Sequence, residues 1–96
     1  MKYTEIENKL LEGFPIRRSG WDKGMFIFRQ VPANIDLDIV PKMQSLPEEV
    51  KKEFIKRGLK TINYDNQIAI VNSENRIWSW SPRIEDLFAD NWELYN

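Results

Sequence analysis

Met25-Phe26-Ile27-Phe28-Arg29-Gln30-Val31 is a run of aromatic and β-branched residues closed by Pro32. Such residues pack well on a pleated surface, and proline cannot donate to a ladder, so the run predicts a strand that stops at residue 31. Downstream, residues 63–71 alternate Tyr64, Asn66, Ile68 and Ile70 against Asn63, Asp65, Gln67, Ala69 and Val71. The segment turns apolar on both faces at its end and reads as one central strand with a polar stretch. Asn72-Ser73-Glu74-Asn75 is a four-residue hairpin loop, and Arg76-Ile77-Trp78-Ser79-Trp80 is its return strand. That strand puts Arg76, Trp78 and Trp80 on one face. Phe14-Pro15-Ile16-Arg17-Arg18 reads as a short strand that Pro15 starts at an edge. Asn91-Trp92-Glu93-Leu94-Tyr95 closes the set, with Trp92 and Leu94 facing the same way.

Helical signals separate these strands. Thr4 and Glu7 have capping-box spacing, Ile6 and Leu10 form an apolar face, and Gly13 supplies a left-handed stop. Ser45 and Glu48 repeat the box with Pro47 in the first turn; Val50 and Phe54 form a narrow apolar stripe, and Gly58 ends the helix. Lys51, Lys52, Lys56 and Arg57 read as its wet face. Residues 32–44 carry Pro32, Asn34, Asp36, Asp38 and Pro41 and read as a loop excursion outside the core. Ser81-Pro82 opens a short helix through Asp86, Leu87 and Phe88. The expected fold is one α+β domain over residues 1–96. It has an antiparallel sheet of about five strands, an N-terminal helix and a second helix in a middle insertion.

Composition narrows the function. Ninety-six residues are too few for two independent cores, and 42% hydrophobic content is enough for one. Fourteen Lys and Arg against 15 Asp and Glu leave a formal charge of −1, unlike the basic face of a duplex-DNA binder. The chain has no Cys and no His, which removes disulfides, thiol nucleophiles, imidazole bases and the usual zinc ligands. No apolar run reaches the ~20 residues of a membrane span and no signal-peptide core stands at the start, so a cytoplasmic protein is expected. The nearest metal motif, Asp36-Leu37-Asp38, has no third ligand. No catalytic residue, metal or cofactor is expected.

The aromatic residues are left to explain. Trp21 stands between Gly20 and Gly24 in a polar loop: it is either a lid folded over the sheet or a stacking platform for a planar ligand. Trp78 and Trp80 on one face are a large apolar surface for a small domain, and Trp80, beside Ser81-Pro82, is the candidate pocket residue. Arg17, Arg18, Lys23 and Arg29 surround the Trp21 loop as a solvated rim or as phosphate ligands. Asp86 and Asp90 suit either ribose hydroxyls or helix capping, with capping the better reading for Asp90.

Four stretches together resemble a known family: Ile16-Arg17-Arg18-Ser19-Gly20-Trp21; Gly24-Met25-Phe26; Asn66-Gln67-Ile68-Ala69; and Trp80-Ser81-Pro82 through Asp86-Leu87 to Ala89-Asp90-Asn91-Trp92. Joined, the Arg-x-x-Gly-Trp start and the Trp-x-Pro…Asp-x-x-Ala-x-x-Trp end resemble the second type of Thoeris anti-defence proteins of phages and prophages. The resemblance implies a sponge in the bacterial host cytoplasm that binds a cyclic ADP-ribose isomer without degrading it. Some members also hold cyclic dinucleotides. It further implies a homotetramer, a dimer of dimers, with pockets between protomers. Arg83 stands where serine is more usual in that family, and Asn91 where an acid precedes the tryptophan. On this reading Trp21, Met25, Phe26 and Trp80 are the walls; Arg18, Lys23 and Arg83 meet phosphates; Gln67 and Asp86 fix the base edge or ribose hydroxyls. A module that docks a host protein through its indole face is the alternative.

Overall fold

The computed structural model describes all 96 residues, which divide into two compact units, Met1–Gln30 with Asn66–Asn96, and Val31–Asp65. The first unit holds helix α1 (Tyr3–Leu11), strands β1 (Ile16–Arg18) and β2 (Phe26–Gln30), and after the second unit β5 (Gln67–Val71), β6 (Ile77–Ser79), α3 (Ile84–Phe88) and β7 (Trp92–Leu94). The second unit holds β3 (Ala33–Asp36), a 3₁₀ turn (Val40–Lys42), α2 (Glu48–Lys56) and β4 (Thr61–Tyr64). The fold is α+β: a five-stranded antiparallel sheet in the order β6-β5-β2-β1-β7, an N-terminal helix, a helix in the insertion, and a separate β3–β4 pair.

Register explains the first core. Leu94 faces Ile16, Ile16 faces Ile27, Ile27 faces Ile70 and Ile70 faces Trp78, an apolar row across all five strands. Helix α1 lays Tyr3, Ile6 and Leu10 in the same buried cluster, which Trp92 completes at 1% exposure. Gly13 (φ +97°) ends α1: the Phe14 N–H donates to the Lys9 carbonyl and the Gly13 N–H to that of Leu10, each 3.0 Å.

Several expectations change. Helix α1 starts one residue before Thr4, because the Glu5 carboxylate, not Glu7, accepts the Lys2 backbone N–H at 3.3 Å. Strand β1 is interior, not an edge; Pro15 lies just before it and only accepts, through its carbonyl, from the Tyr95 N–H at 2.9 Å. Residues 63–71 are two strands, not one: Asn63 pairs with Asn34 in the small sheet, whereas Gln67 pairs with Gln30 in the large one. The weak alternation of residues 33–36 is therefore a strand in place of the expected loop, and Val40 beyond it is fully buried. Ser45 caps nothing, since Pro47 holds the N-cap position in an extended conformation. On α2, Val50 is exposed and Lys51 buried. Phe54 is half-buried and Lys52, Lys56 and Arg57 are exposed as expected, but Lys51 turns inward because its ammonium donates to the Pro41 carbonyl and to Glu48, both at 3.1 Å.

Burial, then the Glu7 and Asp86 carboxylates, raise the Tyr3 pKa above the ordinary tyrosine value. The unfolded chain loses that proton first, so this contribution is complete below the ordinary pKa and is lost as pH rises through the raised one. Urea titrations at about pH 9 and about pH 11 are expected to show a smaller loss of stability for Tyr3→Phe than for wild type. Equal losses would remove Tyr3 as the cause.

Candidate functional site

The Trp21 loop is held by two turns. The Trp21 N–H donates to the Arg18 carbonyl and the Met25 N–H to that of Asp22, each at 3.1 Å, while Arg17 donates to the Trp21 carbonyl at 2.7 Å. Gly20 and Gly24 both have positive φ, and a Cβ on Gly24 would also lie 3.2 Å from the Ser73 Cα. The loop thus delivers Trp21 onto the helix-bearing side of the sheet. There it meets Trp92 at 5.4 Å and Trp80 at 6.4 Å between ring centroids, and Trp80 meets Trp92 at 6.0 Å. All three contacts are edge-to-face, the arrangement favoured by the ring quadrupoles. Trp21 is lid and wall at once: one side rests on the core, the other borders a cleft.

Beneath the indoles lies a polar cluster. Asp86, 7% exposed, accepts from Arg18 Nη1 at 3.0 Å and from the Arg83 backbone N–H at 2.9 Å, and its carbonyl accepts the Trp92 indole N–H at 2.9 Å. Asp86, not Asp90, is therefore the cap of α3. Arg18 Nε donates to the Asn91 side chain at 2.9 Å, and Asn91 in turn donates to the Ser19 carbonyl at 3.0 Å. With Nε and Nη1 engaged, Arg18 turns Nη2 to no protein acceptor. A fixed guanidinium of this kind is suited to a phosphate or carboxylate.

The cleft formed here encloses about 590 Å³. Arg18, Trp21, Met25, Trp80, Arg83 and Asp86, all expected ligand residues, line it together. Phe26, Lys23 and Gln67 lie elsewhere. Phe26 follows Met25 and so points to the opposite face of the sheet, where it packs on Tyr95 at 4.8 Å. With Lys23 it borders a separate hollow of about 690 Å³. Gln67 is tied to Gln30 at 2.7 Å and to Ser79 at 3.1 Å, and borders a groove beside α1. Trp78, 47% exposed, also lines the cleft. Its alternation with Trp80 was the signal for it; choosing one of the two hid the other. Nothing in the spacing pointed to Asn91 as the second anchor of Arg18.

Chemically the cleft offers flat apolar walls and one oriented guanidinium, with Ser81 at its border. Both carboxylate oxygens of Asp86 accept hydrogen bonds from within the chain. No three His, Cys, Asp or Glu side chains gather to hold a metal ion, and no helix is long and apolar enough to cross a membrane. Compared with known families, residues 1–95 match the family model of the Thoeris anti-defense 2-like (Tad2-like) domain. No curated protein matches the chain.

Proposed function

The chain belongs to the Thoeris anti-defense 2-like family, and from that premise we propose that it is a phage sponge for a nucleotide immune signal. The ligand is a cyclic ADP-ribose isomer, with cyclic dinucleotides as a second class, held whole in the host cytoplasm. The observation that carries this reading is the indole wall of Trp21 and Trp80 beside the free Nη2 of Arg18. Stacking contributes about 1–3 kcal/mol per base and a charge-assisted hydrogen bond about 1.5–3 kcal/mol, while nanomolar capture needs about 12 kcal/mol. Several such contacts must act together, away from water. Within one chain, Arg18 and Arg83 are balanced by Glu85 and Asp86 around an open cleft. A second protomer closing over it would supply the missing dryness, and two such pairs make up the proposed homotetramer, a dimer of dimers.

The test is to incubate the protein with the product of a TIR enzyme acting on NAD, with cyclic ADP-ribose and with cyclic dinucleotides, wash, heat, and weigh what is released. Intact ligand is expected; an altered mass would make the protein an enzyme. Trp21→Ala is expected to weaken binding about 10- to 100-fold, from the loss of one stack, with oligomer mass unchanged. Dissociation of the oligomer by that change would make Trp21 structural. The half-exposed Trp78 favours the competing reading, a module docking a host protein, which predicts no nucleotide release at all.

A further inference from the structure

We infer that Asn91 is the positioning residue of the indole cleft: its one side-chain amide fixes the Arg18 guanidinium and the stem of the Trp21 loop together. The inference rests on the nucleotide reading above and adds the group that holds the anion receptor in place. Asn91 stands behind Arg18 and outside the cleft wall, so it acts through its neighbours and not by touching a ligand. Asp86 alone cannot orient Arg18. Its Oδ1 accepts from Nη1 at 3.0 Å, but its Oδ2 is taken by the Arg83 backbone N–H at 2.9 Å, so no two-pronged clasp forms. A planar group held by one bond still turns about it. The second bond, from Nε to the Asn91 Oδ1 at 2.9 Å, stops that rotation and leaves Nη2 as the nitrogen without an acceptor in the chain.

The same amide acts on the loop. Its Nδ2 donates to the Ser19 carbonyl at 3.0 Å, and the Asn91 backbone carbonyl accepts the Ser19 N–H at 2.9 Å. Ser19 is thereby clasped twice, just before Gly20 (φ +94°) turns the chain towards Trp21. Asn91 has a firm footing of its own, since it adjoins Trp92, which is 1% exposed and faces Arg18 in the β1–β7 register. The orientation of the amide is forced: a guanidinium nitrogen only donates and a carbonyl only accepts. A carboxylate at this position could serve Arg18 but has no N–H for Ser19. It would also change the charge. Arg18 and Arg83 are balanced by Glu85 and Asp86 at the cleft, and one more carboxylate beside Arg18 would tip that balance against an anion.

The test is the dissociation constant of cyclic ADP-ribose, and of the product of a TIR enzyme acting on NAD, by titration calorimetry for wild type, Asn91→Asp and Asn91→Ala. At about 50 mM NaCl the alanine variant is expected to bind about 10-fold more weakly, the scale of one charge-assisted hydrogen bond. Asn91→Asp is expected to bind more weakly still, and at about 500 mM NaCl to recover much of its difference from alanine as its charge is screened. A merely structural role predicts the reverse ranking, because aspartate has the shape of asparagine and keeps the bond from Arg18. Far-UV circular dichroism checks folding, and the alanine variant tests the role by itself if the aspartate variant does not fold. Wild-type affinity in either folded variant, or tighter binding by aspartate than by alanine, overturns the role of Asn91 and leaves the ligand reading standing. A wild type that binds neither compound overturns both.

Discussion

Trp92→Ala is expected to lower unfolding stability by about 3–5 kcal/mol, the usual cost of deleting a buried tryptophan. The ring is 1% exposed and meets Tyr3, Trp21 and Trp80, and its N–H is the donor to the buried Asp86 carbonyl. No small shift refills that volume, because α1, the Trp21 loop and β6 approach it from three directions. Against a typical domain stability of about 5–15 kcal/mol, the loss is a large fraction of the whole. Trp92→Phe keeps an aromatic ring but leaves the Asp86 carbonyl only the long 3.4 Å bond from the Ala89 N–H, so an intermediate loss of about 1–3 kcal/mol is expected. Urea titration followed by far-UV circular dichroism measures both. An alanine variant within ~1 kcal/mol of wild type would show that the indole cluster does not hold the core.

Asp86→Ala is the second large effect. Removing one member of a buried ion pair costs about 3–5 kcal/mol because the remaining charge is stranded. Arg18 keeps 24% of its side chain exposed, which reduces that cost, while loss of the cap on α3 adds about 0.5–2 kcal/mol. About 3 kcal/mol in total is the expected outcome. Arg18→Met combined with Asp86→Leu removes both charges and is expected to be less destabilised than Asp86→Ala alone. A double variant as unstable as the summed single changes would mean that the pair is not coupled. Asp86→Ala should also weaken cyclic ADP-ribose binding, since Arg18 then keeps only Asn91 to hold it in place.

Where the chain speaks locally, the sequence was informative. β2 runs Phe26–Gln30 inside the expected 25–31, Gly13 ends α1, and Asn72 accepts from the Glu74 and Arg76 N–H groups in the predicted hairpin loop. The two capping boxes failed because an S/T-x-x-E spacing is common by chance. The actual starts are fixed by the Lys2–Glu5 bond and by Pro47. Residues 63–71 looked continuous because alternation persists through Asp65 and Asn66. Only the pairing partners, Asn34 on one side and Gln30 on the other, divide them. In the site, Trp21, Trp80, Arg18 and Asp86 were legible as a set because the resemblance spans both halves of the chain. Phe26 lies on the other face from Met25, as alternation along a strand requires, and so borders a different hollow. Lys51 was beyond reach. A buried ammonium declares itself only through the Pro41 carbonyl and the Glu48 carboxylate that receive it.

Gln30 and Gln67 face each other as the final rung between β2 and β5, and their amides are bonded at 2.7 Å. Everything from Val31 to Asp65 leaves and returns through that rung. The position is accordingly a natural graft point: a two-residue Asn-Gly turn can bridge it, or foreign sequence can be spliced in, without breaking the row from Leu94 to Trp78.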